Sequence, residues 1–262
     1  MTRSLIRASA WKTIAVASVA LSAVFVNAQE ASAVVLAQWT FEPQPFTDAV
    51  GLNKTAGPAV AASTGTGTAT GLHASAATDW TTPTGNGSTD SYSANTWGVN
   101  DYFQFTTSSL TYENLVVSWD QTGSGTGPRD FDLFYSTGAG FTSAFSYDVP
   151  FNGTPALSSN WNATLAVTGS SFSFNFGAIT ALDNAATVIF RLVNTSTTSI
   201  GTPPAAPGIV GTGGTSRVDN FTVSGTLIPP PSGVPLPSSL LVFGGCAGIA
   251  GVARRRLQAI FA

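Results

Sequence analysis

Hydrophobic and polar residues alternate through much of the middle of this chain. Leu115, Val117 and Trp119 share one side of Asn114 to Asp120; Phe131, Leu133 and Tyr135 share one side of Asp130 to Tyr135; Phe172, Phe174 and Phe176 share one side of Ser171 to Phe176. Successive side chains of a strand point to opposite faces, so each stretch predicts a strand with one apolar face turned inward. Further strands are predicted over Val35 to Phe41, Tyr102 to Thr106, Trp161 to Val167, Thr187 to Val193 and Val218 to Gly225, with one short helical turn over Thr180 to Ala185. Thr, Ser, Gly, Phe and Val dominate, Lys, Glu and Met are scarce, and glycine and proline turns separate the runs, a mixture that favours short strands. Eight or more such strands predict an all-β, jelly-roll-like β-sandwich. A parallel β-helix is the main rival, but it requires a regular repeat, and the hydrophobic positions follow no fixed period.

Two segments break the pattern. Thr55 to Gly71 is mostly Ala, Ser, Thr and Gly, and Ser196 to Ser216 is rich in Pro and Gly; both read as poorly ordered surface loops. Thr64, Thr66, Thr68 and Thr70 alternate as an ice-matching strand face would, but such a surface needs many stacked ranks and this chain has one, so the run reads as low-complexity loop.

The two ends have a different character. Arg3, Arg7 and Lys12 precede an apolar stretch from Thr13 to Val26 and small-residue sites ending at Ala28 and Ala33, the layout of a secretory signal peptide over residues 1–28 with cleavage after Ala28 or Ala33. At the other end, Pro229, Pro230, Pro231, Pro235 and Pro237 make residues 228–237 an extended spacer. An uncharged run from Leu240 to Ala253 follows, then Arg254, Arg255 and Arg256. Those 14 residues are shorter than the ~20 a spanning helix needs, so a membrane helix over 238–253 depends on snorkelling of the arginine stems, and the arginines orient it with the preceding chain outside.

Removing both ends leaves Lys54, Arg129, Arg191 and Arg217 against 12 or 13 acidic residues, a net charge near −8 or −9. An acidic domain is a poor partner for nucleic acid, whose affinity rests on Lys and Arg neutralising phosphates. The sole cysteine, Cys246, lies in the apolar tail, so the exported domain, residues 36–227, has neither a disulfide nor a thiolate metal site.

His73 is the only histidine, which rules out the ordinary triad and the histidine-rich zinc site; it reads as a turn residue. No nucleophile elbow or phosphate loop is present. Glycoside hydrolysis needs two facing carboxylates, and no spacing singles out a pair. Calcium takes oxygen ligands alone, so Asp130 and Asp132 on one strand side, with Asp219 and Asn220 opening the last strand, are candidate ligands for a structural calcium; the bland reading is a solvated face paired to Arg129 or Arg217. Trp80, Tyr92 and Trp97 occur in turn-rich sequence and are the candidate exposed aromatics for stacking on sugar rings, whereas Trp39, Trp119 and Trp161 fit core positions.

The tail, Val234-Pro235-Leu236-Pro237, then the short apolar helix, then Arg254 to Arg256, resembles the PEP-CTERM sorting signal, here a VPLP-type variant over 234–256. LAQWTFE (36–42), GLHAS (71–75), SWDQTGSGTGPRDFDLFYST (118–137), ALDNAATVIFRLV (181–193) and RVDNFTVSG (217–225) are similar to segments of uncharacterised exported proteins bearing that signal. The resemblance implies a Gram-negative bacterium, signal peptidase and an exosortase-type membrane protease as partners, passage through the inner membrane, and a destination at the cell surface, outer membrane or extracellular matrix. It brings no activity with it. The expectation is a non-enzymatic surface or biofilm-matrix protein, with a carbohydrate-binding module as the alternative, and a glycoside-active enzyme or an ice-binding adhesin behind that.

Overall fold

The computed structural model describes residues 32–43, 46 and 54–230. The signal peptide, the membrane helix, the sorting residues Val234, Pro235, Leu236, Pro237, Arg254, Arg255 and Arg256, and most of the spacer lie outside the described residues.

The strands are β1 (Ala33–Trp39), β2 (Val60–Ala61), β3 (Thr64–Gly65), β4 (Thr68–Leu72), β5 (Trp80–Thr81), β6 (Tyr92–Ala94), β7 (Tyr102–Thr107), β8 (Tyr112–Gly123), β9 (Asp130–Ser136), β10 (Thr142–Asp148), β11 (Ser171–Asn175), β12 (Val188–Asn194) and β13 (Ser216–Leu227), with a single 3-10 turn at Thr180–Leu182. They form two sheets. One runs β11-β8-β13-β1-β3, with β6 taking the place of β1 beside the first residues of β13 and β5 pairing outside β6; the other runs β10-β9-β12-β7-β4-β2. Every strand pair is antiparallel, which excludes the parallel β-helix.

The core lies between the sheets. Leu115, Val117 and Trp119 of β8 and Trp39, Phe221 and Val223 face Phe103 and Phe105 of β7, Phe131 and Leu133 of β9, and Phe190 and Leu192 of β12, all almost fully buried. Burying side chains of this size contributes about 1.5–3 kcal/mol each, enough to hold a sandwich with no cross-link. Register is kept by irregularities: β13 shifts between Asp219 and Thr222, where Asn220 takes φ +51°, and this extra residue brings Phe221 inward while Arg217 and Asp219 stay on the outer side.

Three expectations are corrected. Trp161 to Val167 is not a strand: the Asn162 Oδ1 accepts hydrogen bonds from the Thr164 and Leu165 amides, closing a turn, and Trp161 packs with Leu157 and Val167 in a small second cluster. Thr55 to Gly71 is not a loop, since it carries β2, β3 and most of β4; its small residues fit beneath indole rings, and a Cβ at Gly67 would fall 2.6 Å from Trp39 Cζ2. Thr64 belongs to one sheet and Thr68 and Thr70 to the other, so the four threonines do not line a single strand face. The segment 196–215 does run over the surface, but it is pinned: the Ile200 and Gly201 amides donate to the Gly127 and Gly125 carbonyls at 2.9 and 2.8 Å.

Candidate functional site

The outer face of the six-stranded sheet is built by the side chains that alternate with the core. On β7, Phe103 and Phe105 point inward and Tyr102 and Gln104 outward; on β12, Phe190 and Leu192 point inward and Arg191 outward; on β9, Phe131 and Leu133 point inward and Asp132 and Phe134 outward. Register sets these outward residues in rows. Thr70, Gln104, Arg191, Phe134 and Ser143 form one row, and Leu72, Tyr102, Val193, Asp132 and Ser146 form the next.

Arg191 is the centre of this face. Its guanidinium carbon lies 3.8 Å from the Tyr102 ring centroid and 3.7 Å from that of Phe141, so two aromatic rings hold the planar fork, and its Nε donates to Gln104 Oε1 at 2.8 Å. Among the described residues no acceptor pairs with its two Nη groups and no carboxylate bridges to it. Partial burial lowers its pKa, with the Tyr102 phenol opposing, yet an arginine remains charged at any physiological pH. Phe141 arrives from the β9–β10 hairpin, whose Gly138 and Gly140 take φ +111° and +143°, conformations closed to other L residues without strain. Asn100, Tyr102, Phe134, Phe141, Arg191 and Val193 line a cavity of about 300 Å³.

Asn100 also lines an adjoining, more apolar cleft of about 560 Å³ with Leu72, Val99, His73 and Asp101. Leu72 and Val99 are each 43% exposed. His73, expected as a turn residue, is buried: its Nδ1 lies 3.0 Å from Thr78 Oγ1 and 3.6 Å from Asp101 Oδ2, and its ring packs 4.2 Å from Trp97 and 4.7 Å from Trp80. Burial lowers its pKa to about 4, so the imidazole is neutral at pH 7.

The structure does not expose the three aromatics read as a sugar platform. Trp80 and Tyr92 are fully buried and Trp97 nearly so; Trp80 stacks on Tyr92 at 5.3 Å and Trp97 meets Phe103 edge-on at 4.9 Å. Their indole and phenol groups are spent on the Lys54, Ala94 and Pro58 carbonyls. Turn-rich sequence predicts exposure, and here the turns fold back over one end of the core.

The four candidate calcium ligands do not converge. Asp130 and Asp132 belong to the six-stranded sheet, Asp219 and Asn220 to the seven-stranded one. Asp130 pairs with Arg129 Nε at 2.6 Å and accepts from Ser196, while Asp132 accepts from Ser143 at 2.9 Å. Asp219 is fully buried beneath the 84–90 loop, where Ser88 Oγ and the Asn86 and Asn220 amides donate to it at 2.6, 2.8 and 2.7 Å. Burial raises its pKa to about 7 despite those donors. Its cross-strand neighbour Asp120, half-buried, accepts from Asn86 Nδ2, Asn220 Nδ2 and Ser171 Oγ, so both carboxylates are satisfied by protein donors. Among the described residues no group of three or more His, Cys, Asp or Glu side chains could hold a metal ion, and no helix is long and apolar enough to cross a membrane.

Tyr102, Phe134, Phe141 and Arg191 escaped the sequence reading as a site. The available signal was Arg191 itself, a charge inside the apolar run VIFRLV, which a strand tolerates only on an outward position. Nothing in the sequence places the rings on either side of it.

The sequence matches no family model and no curated protein. Among solved structures, the chain is similar to CBM27-1 of Caldicellulosiruptor saccharolyticus in complex with mannohexaose, at TM-score 0.34 and 10% identity over 73% of this chain and 96% of that one. It is also similar to the K1 cleaved adhesin domain of Lys-gingipain from Porphyromonas gingivalis W83, at TM-score 0.33 and 9% identity over 56% and 82%. A third is TmCBM61 in complex with beta-1,4-galactotriose, at TM-score 0.27 and 11% identity over 62% and 72%.

Proposed function

We propose that this chain is an exported, non-enzymatic surface or matrix protein whose jelly-roll-like domain binds extracellular polysaccharide on the outer face of the six-stranded sheet. The observation that carries the reading is the arginine held between Tyr102 and Phe141, with Gln104 and Phe134 on either side of it in its own row. A sugar ring offers an apolar C–H face to an aromatic side chain and hydroxyls to fixed donors and acceptors, and this surface holds both kinds of group on rigid strands. Export and sorting rest on the sequence: the signal peptide for signal peptidase, and Val234 to Pro237 with the three arginines for an exosortase-type protease at the inner membrane.

Binding is tested by isothermal titration against neutral and acidic polysaccharides. The wild type should bind at least one polymer without releasing reducing ends, and Tyr102→Ala or Phe134→Ala should weaken binding at least tenfold at unchanged thermal stability. Uniform absence of binding overturns the ligand reading and leaves a structural matrix role. Release of sugar abolished by one Asp or Glu substitution overturns the non-enzyme reading.

A further inference from the structure

The ligand class follows from the charge at this face, and the inference rests on the carbohydrate reading above. We infer that the polymer is a polyuronate and that Arg191 reads the carboxylate of one sugar unit.

The four cations of the exported domain are not equivalent. Arg129 is neutralised by Asp130 at 2.6 Å and Asp148 at 3.8 Å. Arg217 is half-buried with its guanidinium 5.1 Å from the Trp161 ring, donates to the Thr84 carbonyl and sits near Asp219. Lys54 is exposed and offers a flexible point charge rather than a fixed fork. Arg191 has a fixed orientation, two Nη groups with neither an acceptor nor an ion pair among the described residues, and a cavity of about 300 Å³ beside it. Among the described residues Arg129 alone of the three arginines has an ion pair; Arg217 also lacks one, but its Nη1 is spent on the Thr84 carbonyl, so Arg191 is the arginine whose two Nη groups are left for a ligand.

The stacking selects the anion. Two rings restrict the guanidinium to one plane, so its outer edge presents two parallel N–H groups, the arrangement that meets a planar carboxylate through two hydrogen bonds. The side chain has already lost most of its freedom before a ligand arrives, which reduces the entropy cost of binding. Phe134 and the exposed side of Phe141 flank that edge with apolar surface suited to the ring bearing the carboxylate.

The domain's own negative charge opposes a polyanion. Asp132 is the nearest acid on the face, diagonal to Arg191 through the Phe134 pairing, a separation of roughly 7–8 Å in an antiparallel sheet. Exposed charges beyond about 8 Å are largely screened at physiological ionic strength, so Asp132 contributes most of the opposing effect.

The full chain in detergent is titrated with polygalacturonate and alginate, with the same polymers after carboxyl reduction, and with dextran sulfate. The expected result is binding to at least one polyuronate that falls about ten- to a hundredfold on carboxyl reduction, by the same factor in Arg191→Gln, and by no more when both changes are combined. Arg191→Lys keeps the charge but not the fork and falls between; Asp132→Asn tightens binding several-fold. Unchanged near-ultraviolet dichroism certifies that each variant is folded. Equal affinity for acidic and reduced polymers overturns the inference while leaving the carbohydrate reading intact, equal affinity for dextran sulfate overturns the carboxylate assignment, and binding to none of them overturns both.

Discussion

Phe105 of β7 and Phe221 of β13 stack face to face across the sandwich, with ring centroids 3.5 Å apart and planes inclined by 2°. Trp39 meets both rings edge-on, at 5.3 and 5.9 Å, so this trio joins the two sheets near their centre. Phe221 reaches the position only because β13 carries its extra residue at Asn220.

Phe221→Ala should therefore destabilise the domain by about 3–5 kcal/mol, through lost apolar burial and a cavity that strands on both sides hold open. Chemical denaturation measures it. A loss below about 1 kcal/mol would mean that the sheets do not depend on this contact.

The buried His73 predicts acid sensitivity. Its pKa is about 4 in the folded chain and 6.5 when exposed, so between those values the unfolded state binds more protons and stability falls as the pH falls. Asp101, facing it at 3.6 Å, is itself pushed upward by burial, so its carboxylate offsets little of the cost of protonating the ring. Melting curves from pH 7 to pH 4.5 should descend for the wild type, and His73→Phe should lack the part of that descent between pH 6.5 and 4.5. Parallel curves for the two proteins would remove His73 as the cause.

Asp219 predicts the opposite slope. With a folded pKa raised to about 7, its contribution is complete below its unfolded value near 3.8 and is lost as the pH rises through 7. The stability difference between wild type and Asp219→Asn, from denaturation at pH 5 and pH 8, should shrink at the higher pH. A difference that grows instead would mean that the Ser88, Asn86 and Asn220 donors hold the carboxylate ionised.

Alternation in the sequence was a reliable guide where a strand has one wet and one dry face. Leu115, Val117 and Trp119, and Phe131 with Leu133, face the core as their period of two requires. It was silent for β2 to β4, because glycine, alanine and threonine carry little hydrophobic signal even when they are small in order to fit under Trp39 and Trp80. It misled at Trp80, Tyr92 and Trp97: a turn-rich neighbourhood describes the local backbone, while burial depends on what distant chain lies above.

The same division holds for the site. From sequence alone came the all-β class, the absence of a cross-link over residues 36–227 and the acidic charge of that stretch. Those are properties of composition and period, which neighbouring residues determine. Only the tertiary structure placed Tyr102 and Phe141 on either side of Arg191, separated Asp130 and Asp132 from Asp219 and Asn220, and buried the expected aromatic platform. Each of these depends on strand register and sheet assignment, and register between strands 53 to 91 residues apart is settled by packing across the core rather than by any local preference.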